Sequence, residues 1–483
     1  MERSENSWHS QFMTTKLSIH ETWFASKPYV SQYGYVEKMT KYKNVRSRAY
    51  KNKSYWRNTM ECKFSSNADF TADVVVIGGG TAGVFAAISA ARTGAKTILI
   101  EKNSVLGGTM TVAGVNFPGL FFAWGKQIID GPCWESVERT IQLGGAKMPE
   151  ITYKPERHWH EQILLNRFIY TAVLFEMCEE AGVQVICNSM LSAVDETDEH
   201  VIMTITNKNG LFTITAKTAI DATGDANLIQ IAGYPVEKSK VQQPATLQNH
   251  ISGYELNENI ENEIREKFQF ANMPEYLTAN HIISYLRKKK IDMRTPCSDA
   301  DTSWGKTKLE QKAYSEMLAV YKFLRSIKGL ENLEIDYVAA ETGVRETNRI
   351  IGEKTITETD YINGIFYEDS ICYAFYPIDK HVIDGIENKH LEENVVPKIP
   401  YQALIPQNSK RILCAGRCIS SDTNANSAIR VEAVCMATGQ AAGCAAAISA
   451  KRDIELKNIS YNELCDSLMA INAIVPKKND FLS

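Results

Sequence analysis

The stretch from Ala72 to Glu101, ADVVVIGGGTAGVFAAISAARTGAKTILIE, leaves the chain few folds to choose from. Val74, Val75, Val76 and Ile77 are a β-branched run of the kind that makes a strand buried on both faces. Gly78, Gly80 and Gly83 then complete G-x-G-x-x-G, with Thr81 and Ala82 opening an Ala-rich helical stretch that ends at Gly94. A second apolar run, Ile98 to Ile100, is closed by Glu101. The first glycine allows the tight turn, the second lets backbone approach a pyrophosphate, and the third lets helix and strand pack closely. The start of the helix offers unpaired N–H groups and its positive dipole end to phosphates. Glu101 stands where a carboxylate accepts the ribose hydroxyls of an ADP moiety. Strand, helix, second strand and acid are in register, so the stretch predicts an ADP-dinucleotide site in an α/β fold.

The 483 residues are enough for two or three domains. Hydrophobic content of 44% and charged content of 23% are those of an ordinary globular chain, and the net charge of −4 speaks neither for nor against nucleic acid. No apolar run approaches the roughly 18 residues that span a bilayer, so no membrane association is expected. The N-terminus lacks the apolar core of a secretory signal, and the eleven cysteines are scattered without a C-x-x-C. Cys414 and Cys418 flank Ala-Gly-Arg at a spacing unlike a redox disulfide motif. Reduced, structural thiols and a cytoplasmic location are the expectation.

Residues 1–70 differ from the rest: rich in Trp, Tyr, Lys, Arg and Ser, they show no sustained period. A basic, aromatic arm can bind nucleic acid or a partner, but the plainer expectation is a poorly ordered extension, with Met60 as a natural start. After Glu101, Lys102 leads to Gly107, Gly108 and Thr109, where paired glycines let backbone pass close to a second part of the cofactor. Phe117, Phe121, Phe122 and Trp124 read equally as a loop near a flat ring and as core. His158 to Ala181 reads as one long amphipathic helix; the H-x-H at its start puts the two histidines on different faces, so no metal site is expected. Two strand-like runs between Leu191 and Thr218 surround the hairpin turn Asn207–Gly210. An apolar strand then enters Ala222-Thr223-Gly224-Asp225, a second place for backbone to meet a dinucleotide. Residues 235–400 are more charged, with helices expected over Leu256–Phe270, Leu277–Lys290 and Gln311–Ile327 and a strand near Ile371–Pro377. From 401 the chain returns to the first fold, through a strand ending in Gly416-Arg417 and a helix of small residues, Arg430 to Ala450. The dipole-positive end of that helix suits a reduced, anionic ring.

Together these pieces resemble the FAD-dependent oxidoreductases of the glutathione-reductase-like superfamily, and more narrowly the bacterial family called FAD-dependent oxidoreductase. The resemblance rests on Gly78–Gly83 with Glu101, Gly107-Gly108, Ile220–Asp225, Gln243–Leu247, Gly343–Gly352, Tyr376–His381, Ile399–Tyr401, Ala415–Arg417, Arg430 and Gly439–Gly443. Gln402 stands where the family often has Arg after Pro-Tyr. The resemblance implies FAD, redox chemistry and an FAD-binding Rossmann-like domain of the glutathione-reductase type, with an inserted α+β substrate or cap domain. The expected divisions are the extension (1–70), the first part of the FAD domain (71–234), the cap (235–400) and the C-terminal return (401–483). Arg417 and Arg430 are expected to face the cofactor. Non-covalent FAD is expected, because no Cys or His lies beside Gly107-Gly108.

For the chemistry, His381 is the base candidate, with Asp379 on the same face of a strand. Arg345 and Arg349, read as one helical turn apart, are candidates to clamp a substrate carboxylate or hydroxyls, or else form a structural ion-pair cluster. Three functions compete. The first transfers a hydride between flavin N5 and a CH–OH or CH–NH group of a small polar metabolite, sugar derivatives included. The second reduces or forms an activated C=C bond, as fumarate-reductase-like relatives do. The third acts in a nucleic-acid or protein complex through the N-terminal arm. No second G-x-G-x-x-G follows a strand to bind NAD(P)H, so oxygen, a quinone or a redox protein is the expected electron acceptor.

Overall fold

Strand β1 (Asp69–Ile77), helix α1 (Thr81–Arg92) and strand β2 (Thr97–Ile100) form the expected parallel crossover. The computed structural model describes residues 69–154, 158–383 and 385–481, so the N-terminal extension and Met60 lie outside the described residues. Val74, Val75 and Val76 are fully buried, which is what a strand covered on both faces requires. β3 (Gln184–Ile186) continues the parallel edge beyond β2. On the other side, β4 (Met190–Glu196), β5 (Val201–Asn207) and β6 (Gly210–Asp221) make an antiparallel meander whose last strand lies parallel to β1. The order is β3-β2-β1-β6-β5-β4, a mixed sheet with a parallel centre.

β6 is the long strand of the sheet, and its outer edge has two partners. Gly210 to Ala216 pair with β5, and Ala219 to Asp221 pair with the returning strand β7 (Ile412–Cys414). The ends of three strands therefore come level: Ile77 is opposite Asp221, and Asp221 is opposite Cys414. Ligands of parallel α/β sheets bind beyond such carboxyl ends.

α1 is buried all round, from Ala82 to Ala90, between the sheet and helix α2 (Glu432–Arg452). The crossing is closed by small residues. A Cβ on Gly439 would run into the Ala82 carbonyl, and one on Gly443 into the Ala86 carbonyl. α2 also meets the sheet directly, where the Thr218 hydroxyl of β6 donates to the Ala446 carbonyl at 3.2 Å. The expected stripe of small residues thus brings helix against helix. α2 is apolar enough to cross a bilayer by length and composition, which the reading of apolar runs missed; 94% of its most apolar stretch is buried inside the fold. The Cys414 and Cys418 sulfurs, one residue further apart in sequence than in a C-x-x-C, lie 3.0 Å apart in the core.

Some local expectations shift. The helix read over His158–Ala181 is a short 3-10 turn, His158–Glu161, followed after a break by a helix over Arg167–Glu180. Asn166 starts that helix, its side chain accepting from the N–H groups of Phe168 and Ile169 at 3.0 and 3.1 Å. The first of the two strand-like runs divides into β4 and β5, because the Thr197 hydroxyl caps a turn at His200. Helices over Glu258–Phe268, Ala279–Lys288 and Ser303–Arg325 fall on the three expected in the charged middle section, the third starting at Ser303, well before the expected Gln311. Apolar residues from Leu247 to Ala339 form a second core, whereas those from Ile350 to Ile399 pack into the first. Phe121 is core and Phe122 and Trp124 pack half-buried against it: the first two meet Trp134 and the third meets Phe375, at ring separations of 5.1 to 5.5 Å.

The α1–α2 crossing yields a stability prediction. Gly439→Val or Gly443→Val forces backbone apart and lowers unfolding stability by about 3 kcal/mol, the upper end for overpacking. Gly385→Ala, where a Cβ meets nothing, changes it by less than about 0.5 kcal/mol. Chemical denaturation followed by circular dichroism separates the two.

Candidate functional site

A cavity of about 510 Å³ opens beyond the level ends of β1, β6 and β7. It is lined by Gly78, Gly80, Thr81 and Ala82 from the first turn, and by Glu101 and Lys102 after β2. Gly108 and Thr109, Ala222 to Asp225, and Gly416 with Arg417 complete the expected cofactor wall. Gly83 and Gly107 stand behind it. A Cβ on Gly83 would fall inside the Gly78 carbonyl, so this glycine serves packing between helix and turn. Gly78 has φ +101°, and its Cα faces the Ala222 backbone so closely that a Cβ would lie 2.5 Å from the Ala222 oxygen. Above Gly80 the space is open, with Gly108 Cα the nearest atom to a hypothetical Cβ at 3.8 Å. A side chain there would fill the cradle over the helix N-terminus, where the first-turn N–H groups lack intrahelical partners.

Glu101 is nearly inaccessible, and its carboxylate accepts from Gly79 N–H at 2.6 Å and Asn103 N–H at 2.7 Å. Burial pushes its pKa up against those two bonds. Both oxygens retain a lone pair for a ligand hydroxyl. The Ala-Thr-Gly-Asp turn is built by Asp221, a residue of the motif to which the sequence reading gave no role. Asp221 is fully buried and accepts from Thr223 N–H (3.0 Å), Thr223 Oγ1 (2.7 Å) and Ile229 N–H (3.0 Å). Asp225 bonds the adjoining loop, accepting from Arg417 Nη2 and Thr347 Oγ1, both at 2.7 Å. Arg417 also donates to the carbonyls of Gly224 (2.9 Å) and Val344. Its guanidinium is thus occupied as a strut that holds three cavity loops together.

Arg345 and Arg430 line the same cavity; Arg349, Asp379 and His381 do not. The spacing of Arg345 and Arg349 was read as helical, but Asn348–Ile350 is a strand paired with Val236–Lys238. In this extended backbone the two arginines part company. Arg349 is fully buried, donating to Ser421 O (2.9 Å) and Ser239 Oγ (3.1 Å) with Glu346 at 3.7 Å. That is the structural ion-pair cluster of the two alternatives. Glu346 in turn accepts from Gln243 N–H at 2.7 Å.

Asp379 and His381 do share one face of the strand Ile378–Val382, with Oδ2 and Nε2 3.1 Å apart. Gln243 and Arg430 connect them to the cavity. Gln243 Oε1 accepts from the His381 backbone N–H (3.0 Å) and from Arg430 Nη2 (3.5 Å), and Arg430 Nη2 lies 3.9 Å from Asp379 Oδ2. Burial and the charges of Arg345 and Arg430 hold the His381 pKa below 6.5 despite the Asp379 bond, which pushes it up. Burial works to raise Asp379, but the His381 bond and the nearby cations hold it below the usual carboxylate range. Burial, then Arg430, pulls Arg345 down to about 9. Glu432, which the sequence reading also missed, lines the cavity at the start of α2, and burial pushes its carboxyl up to about 7. A polar residue one step into a helix of small residues was its only signal.

The family described as FAD dependent oxidoreductase matches residues 73–468. The chain belongs to that family. As an FAD-dependent oxidoreductase it shares short segments with other flavoenzymes. It is 49% identical over 67 residues to a fumarate reductase (cytochrome) of Shewanella frigidimarina, covering 13% of this chain and 11% of that one. It is 31% identical over 173 residues to a dihydrolipoyl dehydrogenase of Buchnera aphidicola, covering 36% and 33%. The chain therefore spans between about a tenth and a third of the length of these relatives. Among solved structures, a geranylgeranyl bacteriochlorophyll reductase-like protein of Thermoplasma acidophilum is similar at TM-score 0.40 and 14% identity, over 86% of both chains. An anhydrotetracycline hydroxylase of Streptomyces rimosus gives 0.40 and 10%, over 82% of this chain and 65% of that one.

The cavity fits the cofactor of this family. Thr81 and Ala82 N–H groups would meet the pyrophosphate, Glu101 the ribose, and Ala222 to Asp225 the opposite side. Glu101→Ala leaves the Gly79 and Asn103 N–H groups unpaired and removes the ribose acceptor. It is expected to weaken FAD retention about 10- to 100-fold, read as the free flavin released on ultrafiltration.

Proposed function

We propose that this FAD-dependent oxidoreductase transfers a hydride from a CH–OH or CH–NH group of a small polar metabolite, using His381 as the base. FAD, held non-covalently in a glutathione-reductase-type domain, supplies the two-electron acceptor. The section from 235 to 400 supplies the substrate side. One observation carries the reading: His381 Nε2 faces Asp379 at 3.1 Å, while His381 Nδ1 is buried without a hydrogen-bond partner. An ionised carboxylate only accepts, so Asp379 fixes the proton on Nε2 and leaves the lone pair on Nδ1. A buried, unpartnered nitrogen of this kind calls for a ligand atom. In the proposed step the substrate O–H or N–H proton moves to His381 Nδ1 while the C–H hydrogen leaves with its electron pair. Asp379 then stabilises the imidazolium. Oxygen, a quinone or a redox protein takes the electrons onward.

A reading as a C=C reductase has its own support in Arg345, a guanidinium on the cavity wall whose pKa burial and Arg430 pull down to about 9. Anaerobic absorbance spectra decide between them. A hydroxy or amino compound that bleaches the oxidised flavin supports the oxidation; an enoate that reoxidises dithionite-reduced protein, with no donor that bleaches it, supports the reductase.

His381→Ala is expected to keep the flavin spectrum and to slow substrate-dependent flavin reduction about 100-fold or more, the loss of a general base. Normal bleaching in that variant moves the base elsewhere. The base is needed neutral, and burial holds its pKa below the ordinary histidine value, so the wild-type reduction rate is level at neutral pH and falls only at more acid pH, where His381 takes up a proton. A rate that instead rises toward acid contradicts the assignment. Acid precipitation should leave yellow supernatant over a colourless pellet.

A further inference from the structure

We infer that the substrate carries a carboxylate, held between Arg345 and Arg430 with help from Gln243. The inference rests on the reading of His381 only for where the reacting carbon lies. Arg345 has two polar partners, both through Nη1: the Pro244 carbonyl at 2.5 Å and Thr246 Oγ1 at 3.3 Å. No carboxylate lies within ion-pair distance of it among the described residues. Its fork therefore faces the cavity with Nε and Nη2 uncommitted. Arg430 lines the same wall, its Nε is buried without a partner, and its nearest acid is Asp379 at 3.9 Å. Gln243 Nε2 is a third buried donor with no partner.

The charges around these donors do not balance. Arg294 adds a third guanidinium that acts on Arg345, and its Nη1 donates only to the Val382 carbonyl at 3.2 Å. Against three cations stand Asp379, already shared with His381, and Asp292, which acts through space. Glu432 on the same wall is neutral part of the time near pH 7. Arg417 and Arg349, by contrast, each sit beside a carboxylate, Asp225 at 2.7 Å and Glu346 at 3.7 Å. A buried uncompensated cation is costly, whereas a planar guanidinium meeting a carboxylate recovers two charge-assisted bonds. An anionic ligand completes the set.

The geometry also limits the ligand's length. Asp379 Oδ2 lies 3.1 Å from His381 Nε2 and 3.9 Å from Arg430 Nη2, so the base and the cation are neighbours. A carboxylate on Arg430 places the reacting carbon only a few atoms away. This spacing favours short hydroxy acids or amino acids.

The test uses the holoenzyme and its flavin absorbance, with acetate and glycolate as probes against acetamide, at constant ionic strength set with sodium chloride. Both carboxylates are expected to perturb the flavin band saturably, and acetamide to bind about 10- to 100-fold more weakly. Arg345→Gln and Arg430→Gln are each expected to weaken acetate by about the same factor, and Arg345→Lys by less. If a glutamine variant loses flavin, the wild-type comparison of acetate with acetamide still decides. No saturable change with either carboxylate, acetamide binding as tightly as acetate, chloride competing at the same concentration, or unchanged affinity in a flavin-retaining Arg345→Gln each overturns the inference. The two proposals fail separately. An uncharged alcohol that bleaches the flavin through His381 keeps the proposed function and defeats this one. Carboxylate binding that depends on Arg345, in a protein whose flavin no hydroxy or amino acid reduces, does the reverse.

Discussion

The backbone contact between Gly78 and Ala222, tied by the Ala222 N–H bond to the Ile77 carbonyl at 2.9 Å, sets the spacing of the strand ends. From that contact the rest of the cavity wall follows. The Ala415 N–H bonds the Asp221 carbonyl at 2.9 Å, which brings the Gly416 turn level with the other two. α1 starts from the first turn, and α2 can lie against it only because Gly439 and Gly443 present no side chain. Any residue larger than glycine at these approaches would separate turns whose value lies in their proximity.

Buried polar groups then place the loops around that frame, and each is satisfied by chain far away in sequence. Asp221 shapes the turn that follows it, and Arg417 joins Gly224, Asp225 and Val344. Glu346 holds the Gln243 backbone, and Gln243 Oε1 holds the His381 N–H. The functional side chains are thereby supported by buried groups, of which Asp221, Glu346 and Gln243 do not line the cavity themselves. The contrast between arginines follows from the same accounting of hydrogen bonds. Arg349 and Arg417, bonded to carbonyls and carboxylates, act as struts, whereas Arg345 and Arg430 keep free donors on the cavity wall.

The cofactor half was legible in the sequence because its signals are local. A β-branched run, three spaced glycines and an acid report strand, turn, helix and ribose acceptor within one short stretch. The substrate half was legible only where secondary structure was unambiguous. Asp379 and His381 were found together because alternation along a strand places them so. Arg345 and Arg349 were paired wrongly because a spacing of four residues means neighbours on a helix and not on a strand. Gln243, Arg294 and Arg430 meet His381 and Arg345 only in three dimensions, and Glu432 gained significance only once its burial was visible. The helix start at Asn166 was hidden by apolar residues that continue upstream in a non-helical path.

One ion pair has a thermodynamic consequence. Lys102, just beyond β2, meets Glu341 at 3.2 Å, and Lys306 on the helix Ser303–Arg325 lies 3.7 Å from the same Glu341 and bonds Thr342. All four residues line the cavity, yet that helix belongs to the second apolar core while β2 belongs to the first. A cofactor in the cavity therefore touches parts of both cores at once. A ligand that binds only the joined state stabilises the joint by mass action. Coupling between the two cores therefore strengthens as the cavity is occupied.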